Sequence, residues 1–256
     1  MERKIVKVNK EEKIHYKIKQ ALILSKPKVP LKFFKKVHTL NYQLYNPGPK
    51  IGFCTAYNDN FKNVAEITVP TFKHYCEKHG YDYIEITNCN CGRHPVWEKI
   101  FLLKERLKDY DYLFWCDCDA IITNYSIKLE SFICNQDLII THDLFGLNAG
   151  VFLIKNSEWS KNYINKVWDA CGTIPSIYKS YGGDQSAMEY MAKGEDSHIK
   201  VVNQCIFNSY KNSLYDRPYN EKIDWEPGDF ILHLPGIENS CRVKIFKDTI
   251  EECRQW

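Results

Sequence analysis

Two carboxylates one residue apart, Asp117 and Asp119, end the run Tyr112-Leu-Phe-Trp-Cys-Asp-Cys-Asp-Ala120. The residues before them are apolar and aromatic, the pattern of a buried strand. In an open α/β sheet, ligands bind beyond the carboxyl ends of the strands. Two acids there, with no basic residue beside them, repel each other unless a cation neutralises them. Oxygen donors suit Mn²⁺ or Mg²⁺, and such ions share their coordination with substrate phosphates. A pair of solvated turn aspartates is the bland alternative, and Asp-x-Asp alone does not decide between them. Phosphatases that form an aspartyl-phosphate also place Asp-x-Asp after a hydrophobic strand, with the first carboxylate as nucleophile. That motif belongs in the first strand of its core, whereas at least two strand–helix units precede Asp117.

Three further groups have chemistry in them. Asn148 and Gly150 lie in Gly146-Leu-Asn-Ala-Gly-Val-Phe-Leu-Ile154, read as a loop feeding a buried strand. Asn offers a donor and an acceptor to sugar hydroxyls, and Gly lets a ligand approach the backbone. Gly182-Gly183-Asp184-Gln185 opens a helix, where Asp184 is either an N-cap or a charge aimed at a ligand. His233, in Phe230-Ile-Leu-His-Leu234, gains weight only as a third ligand to an ion held by Asp117 and Asp119.

These residues need a scaffold. Ile51–Thr55, Tyr81–Thr87, Tyr112–Cys116, Leu138–Thr141, Gly150–Ile154 and Phe230–Leu234 read as strands. Helices are expected over 60–78, ended by Gly80, and over 95–108, 157–171 and 184–193. Strand alternating with helix predicts an α/β fold with a largely parallel sheet. The 256 residues, 44% hydrophobic and 26% charged, suffice for a large core and exclude wholesale disorder. No apolar run approaches the ~18–20 residues of a membrane-spanning helix, and no secretory signal peptide is recognisable.

Residues 1–38 hold 12 Lys/Arg and 3 Asp/Glu, net +9, while the remainder holds 23 and 29, net −6. Pro47-Gly-Pro49 sets the boundary, giving a basic, partly helical arm over 1–48 and a catalytic domain over 49–256. Ile14, Ile18 and Leu22 at helical spacing between lysines suit peripheral contact with an anionic membrane; a solvated terminus is the simpler reading. The eleven cysteines, an odd number, read as reduced thiols of a cytoplasmic protein rather than a disulfide framework or a zinc site.

In this order the motifs resemble glycosyltransferase family 34. It comprises α-glycosyltransferases of yeast and plants that use galactose, mannose or xylose. The matching stretches are Trp97-Glu-Lys99, Trp115–Ala120, Gly146–Ile154 with Asn156–Ser160, Asp184–Ala187 and His233–Gly236. The resemblance implies a GT-A fold, a single Rossmann-like nucleotide-binding domain. Asp117, Asp119 and His233 would hold Mn²⁺ against the donor diphosphate. Thr55, Ala56, Tyr57 and Gly236 would line the nucleotide pocket, with Lys99 facing the donor. Asn148, Gly150, Asp184 and Gln185 would form the sugar and acceptor site.

The implied reaction moves a hexose or pentose, with retention, from a nucleotide-diphosphate sugar to a glycan. UDP-sugars are the first expectation and GDP-mannose the second, and no nucleic acid is involved. A non-catalytic sugar- or nucleotide-binding module on the same fold is the alternative. Two features depart from the family: no N-terminal membrane anchor is recognisable, and the middle residue of the acidic motif is Cys118.

Overall fold

The computed structural model describes residues 48–89, 91–143, 146–173, 183–211 and 224–253. The basic arm and its expected helix therefore lie outside the described residues, apart from Gly48, as does Gly182. Strands are β1 (Ile51–Tyr57), β2 (Asp82–Thr87), β3 (Tyr112–Cys116), β4 (Ala120–Ile122), β5 (Leu138–Asp143), β6 (Gly146–Lys155), β7 (Ile199–Val202) and β8 (Ile231–His233). Helices are α1 (Lys62–His79), α2 (Glu98–Arg106), α3 (Glu158–Asp169), α4 (Gly183–Met191) and α5 (Asn239–Cys253).

Six strands form the central sheet in the order β2-β1-β3-β6-β5-β7. β1 pairs parallel with β2 and β3, and β5 with β7, whereas β6 runs antiparallel to both β3 and β5. The fold is thus α/β with a mostly parallel, mixed sheet. Antiparallel β6 has a local consequence. Its amino end lies at the same sheet edge as the carboxyl ends of β1 and β3, where ligands of such sheets collect.

Strand alternation sorts side chains into two layers. Leu113 and Trp115 of β3 join Ile100, Leu103, Phe152, Val167 and Met188 in the layer under α2, α3 and α4. Phe114, between them in sequence, faces the other way, with ring centroids 5.3 Å from Phe53 and 6.1 Å from Phe230. On that side α1, α5 and β8 bury Val64, Ile121, Leu232, Leu234 and Phe246 together. β3 is buried along its whole length, which explains its unbroken apolar run. Gly80, at φ 74°, closes α1 with a left-handed cap, and the Ser157 side chain caps α3 by accepting from Ser160 N at 3.1 Å.

Three expectations change. β8 does not join the central sheet; it pairs antiparallel with β4 in a two-stranded sheet, Ala120 opposite His233. β6 starts at Gly146, so Asn148 lies inside a strand instead of a loop, and Gly150 lies within the strand rather than at its start. β4, β7 and α5 have no counterpart among the elements read from the sequence, because the strands have three and four residues and α5 carries a weak apolar face. Among the described residues, no helix is long and apolar enough to cross a membrane.

Candidate active site

β3 delivers Asp117 and Asp119 to the sheet edge. The Asp117 amide donates to Gly150 O at 2.7 Å, so the acidic turn stays laced to β6 after β3 has ended. β8 brings His233 to the same point through its pairing with β4. One potential ligand atom from each of Asp117, Asp119 and His233 lies within 4.8 Å of the others.

The histidine is held in one tautomer. Asn208 Nδ2 donates to Thr141 Oγ1 at 3.0 Å, which leaves Asn208 Oδ1 to accept from His233 Nδ1–H at 2.6 Å. This contact turns His233 Nε2 toward the acids. That atom faces Asp119 Oδ1 at 3.2 Å. Once Nε2 gives up its proton, it and Asp119 Oδ1 can both offer lone pairs to a divalent cation. Adjacent ligands of an octahedral ion with bonds of ~2.1 Å stand about 3 Å apart, so the donor set fits Mn²⁺ or Mg²⁺. The other Asp119 oxygen is fixed by Arg242 Nη2 at 2.7 Å, and Arg242 Nε also bonds Leu234 O at 2.9 Å. Burial pushes the Asp119 carboxyl up, but His233 and Arg242 outweigh it and hold it below the ordinary range.

Gly150 makes this packing possible. A Cβ at that position would fall 2.3 Å from His233 Cε1. Gly150→Ala is therefore expected to displace the imidazole without altering any charge. Calorimetric Mn²⁺ binding should weaken by about 10–100-fold, as for other disturbed ligand supports. Unchanged affinity would show that His233 is not a ligand.

Lys99, on the first turn of α2, is buried, and its ammonium is fully occupied. It donates to Ala149 O at 2.6 Å and to Asp184 Oδ2 at 3.0 Å, and it pairs with Asp117 Oδ1 at 3.1 Å. Burial alone would lower its pKa, yet the Asp117 and Asp184 charges raise it, so it stays protonated. Asp117, whose side chain is 32% exposed, also accepts from Trp115 Nε1 at 2.6 Å. Burial and the nearby Asp119 raise the Asp117 pKa, against the pull of Lys99.

These groups border a cleft of about 380 Å³ lined by Ala56, Tyr57, Lys99, Asp117, Asp119, Asp184, Gln185 and Gly236, among others. Several expected site residues sit differently. Thr55 is fully buried, does not line the cleft, and its hydroxyl has no partner among the described residues. Asn148 is committed inside the protein: its amide donates to Asp143 Oδ2 at 2.7 Å and Tyr210 Oη at 2.8 Å, and its Oδ1 accepts from Gly150 N at 2.9 Å. It shapes the turn of chain behind the acids instead of facing the cleft. Asp184 lies within the first turn of α4 and pairs with Lys99. Gln185 Oε1 accepts from Ala149 N at 3.2 Å. Cys118 is raised by burial to about 12, and Cys116 lies well above its ordinary value for the same reason, so neither supplies a thiolate. No disulfide joins any of the eleven cysteines.

Reading the sequence missed Arg242, Asn208 and the indole of Trp115. Trp115 stands two residues before Asp117 and could have been asked for a donor. Arg242 and Asn208 join the site only through the packing of α5 and the chain before β8.

A family model described as the galactosyl transferase GMA12/MNN10 family matches residues 53–138 and 133–244. Probable alpha-1,6-mannosyltransferase MNN10 of Saccharomyces cerevisiae is 26% identical over 176 residues, covering 50% of this chain and 45% of that protein. Galactomannan galactosyltransferase 1 of Cyamopsis tetragonoloba is 30% identical over 125 residues, covering 42% and 28%. The matches thus span less than half the length of these relatives. Among solved structures, a glycosyltransferase involved in glycosylation of the PBCV-1 major capsid aligns with TM-score 0.63 at 16% identity, over 78% of this chain and all of that one. The galactosyltransferase LgtC, solved with donor and acceptor sugar analogs, aligns with TM-score 0.56 at 13% identity, over 78% and 95%. These likenesses establish the GT-A fold. With the family model matched from Phe53 to Lys244, the chain belongs to the galactosyl transferase GMA12/MNN10 family.

Proposed function

We propose that the chain is a divalent-metal-dependent, retaining glycosyltransferase. It would move a hexose or pentose from a nucleotide-diphosphate sugar to a glycan acceptor, with UDP-sugars ahead of GDP-mannose. The observation that carries the metal reading is the convergence of Asp117, Asp119 and His233, whose potential ligand atoms lie within 4.8 Å of one another, with His233 Nε2 3.2 Å from Asp119 Oδ1. Family membership supports sugar transfer and removes the ground for the aspartyl-phosphate alternative. Retention follows the resemblance to family 34.

Asp117, Asp119 and His233 would hold the ion. When bound, it supplies Lewis-acid stabilisation of the negative charge on the departing diphosphate. The remaining work falls to the chain's own groups. Arg242 and Asn208 keep the Asp119 and His233 ligand atoms aimed at one point. Lys99, its protons spent on Ala149, Asp117 and Asp184, fixes the two carboxylates relative to each other and has no proton left for a phosphate. Asp184 borders the cleft and would face the positive charge that develops on the anomeric carbon. Ala56, Tyr57 and Gly236 wall the nucleotide end, and the Tyr57 hydroxyl is tied to Glu85.

Thermal unfolding with UDP, GDP, UDP-galactose and GDP-mannose, with and without Mn²⁺, tests the donor class. Stabilisation that requires both nucleotide and metal is expected, since a ligand at 100 times its Kd adds about 2.7 kcal/mol. Equal stabilisation by nucleotide in EDTA would refute the metal role.

We further propose that residues 49–256 carry catalysis while the basic arm attaches the protein to anionic membranes. Its charge supports this, each basic residue contributing ~1 kcal/mol near such a surface. Deleting residues 1–48 should leave transfer to a small soluble acceptor intact and abolish sedimentation with phosphatidylserine vesicles. A much lower melting temperature of the shortened protein would show the arm to be structural.

A further inference from the structure

Glu98 is the first residue of α2 and lines the same cleft. It is only 3% exposed. Its carboxylate makes no hydrogen bond and no ion pair with any described residue. Lys99, next in sequence, is not a partner, because its three protons go to Ala149, Asp184 and Asp117. Burial, unopposed by any neighbouring charge, raises the Glu98 pKa. A carboxylate on so buried a side chain, open only to the cleft and without a partner among the described residues, is held at a cost in stability. Groups held at such a cost concentrate where a ligand supplies what the protein withholds.

We propose that Glu98 is a specificity-determining residue that accepts hydrogen bonds from a vicinal hydroxyl pair of the bound nucleotide sugar. This rests on the nucleotide-sugar reading of the cleft. A carboxylate repels phosphates, so the part of the ligand that meets Glu98 is its uncharged, hydroxyl-bearing part. Two carboxylate oxygens match two adjacent hydroxyls, each an O–H donor. The ribose and the transferred sugar both carry such a pair.

Glu98→Gln and Glu98→Met, measured beside the wild type in Mn²⁺, separate these sources. Without ligand, Glu98→Met should melt about 2–4 °C higher, because an unpaired polar group is gone. By calorimetry, Glu98→Gln should bind about 10–100-fold more weakly than wild type. A loss seen with UDP and UDP-galactose but not with 2′-deoxy-UDP places the hydroxyl pair on the ribose. A loss seen with UDP-galactose or GDP-mannose but not with UDP places it on the transferred sugar. Unchanged affinity of both variants for all four probes overturns the proposal, as does a lowered melting temperature of Glu98→Met. A wild type that binds none of the four overturns the nucleotide-sugar reading itself, and the recognition proposal with it.

Discussion

Asp119→Asn is expected to reduce transfer by at least about 10³-fold and to abolish Mn²⁺ binding, while the protein stays folded. The expectation follows from what the amide would meet. Its Oδ1 can still accept from Arg242, which reaches Asp119 at 2.7 Å. Its NH₂ would donate to the lone pair of His233 Nε2, now 3.2 Å from Asp119 Oδ1. That hydrogen bond fills the imidazole's ligand position and satisfies it without a metal. The hydrogen bonds are kept, but buried Arg242 loses its carboxylate, so the melting temperature should fall while the protein stays folded and the metal site is closed from within. Loss of metal binding through general unfolding would appear instead as a collapsed melting transition. Asp117→Asn should likewise abolish transfer, but it leaves His233 and Asp119 facing each other and so should retain weak Mn²⁺ binding.

The second large effect belongs to Asp184 and Lys99. Asp184→Asn should lower kcat by about 10²–10³-fold, because the amide cannot offset positive charge at the anomeric carbon. It should also destabilise the protein, since the buried Lys99 loses one of its two carboxylates. Lys99→Met alone leaves Asp117 and Asp184 unpaired and should cost about 3–5 kcal/mol. In the double variant the two damages partly cancel, and the melting temperature should exceed that of Lys99→Met. Activity should not recover with it. If kcat tracks melting temperature through the whole cycle, Asp184 is a structural partner of Lys99 and nothing more.

The sequence made the strands of the central sheet legible because burial on both faces leaves a plain mark. Tyr112–Cys116 is unbroken in apolar residues, and the acids that follow it are unmistakable. The helices around it were readable from periodicity and from Gly80 and Ser157 at their ends. The direction of β6 was not, since an apolar strand looks the same in either orientation. That direction decides the fate of Asn148 and Gly150. In antiparallel β6 they lie behind the acidic turn, one saturating its amide on Asp143, Tyr210 and Gly150, the other making room for His233. Arg242 and Asn208 were illegible for a different reason. Each reaches its site partner across more than twenty residues of chain, and a single polar residue in a helix or turn carries no periodicity. Glu98 stands in the sequence only as the middle of Trp97-Glu-Lys99; its lack of a partner among the described residues is a property of packing.

The central claim is that a divalent ion held by Asp117, Asp119 and His233 supports sugar transfer in this cleft. The most direct test is the initial rate of nucleoside diphosphate release from UDP-galactose, UDP-glucose, UDP-xylose and GDP-mannose, in Mn²⁺ and in EDTA, for the wild type and Asp119→Asn. The account predicts release from at least one donor by the wild type in Mn²⁺, and loss of that release both in EDTA and in Asp119→Asn. Undiminished release by the wild type in EDTA, or by Asp119→Asn in Mn²⁺, would contradict it.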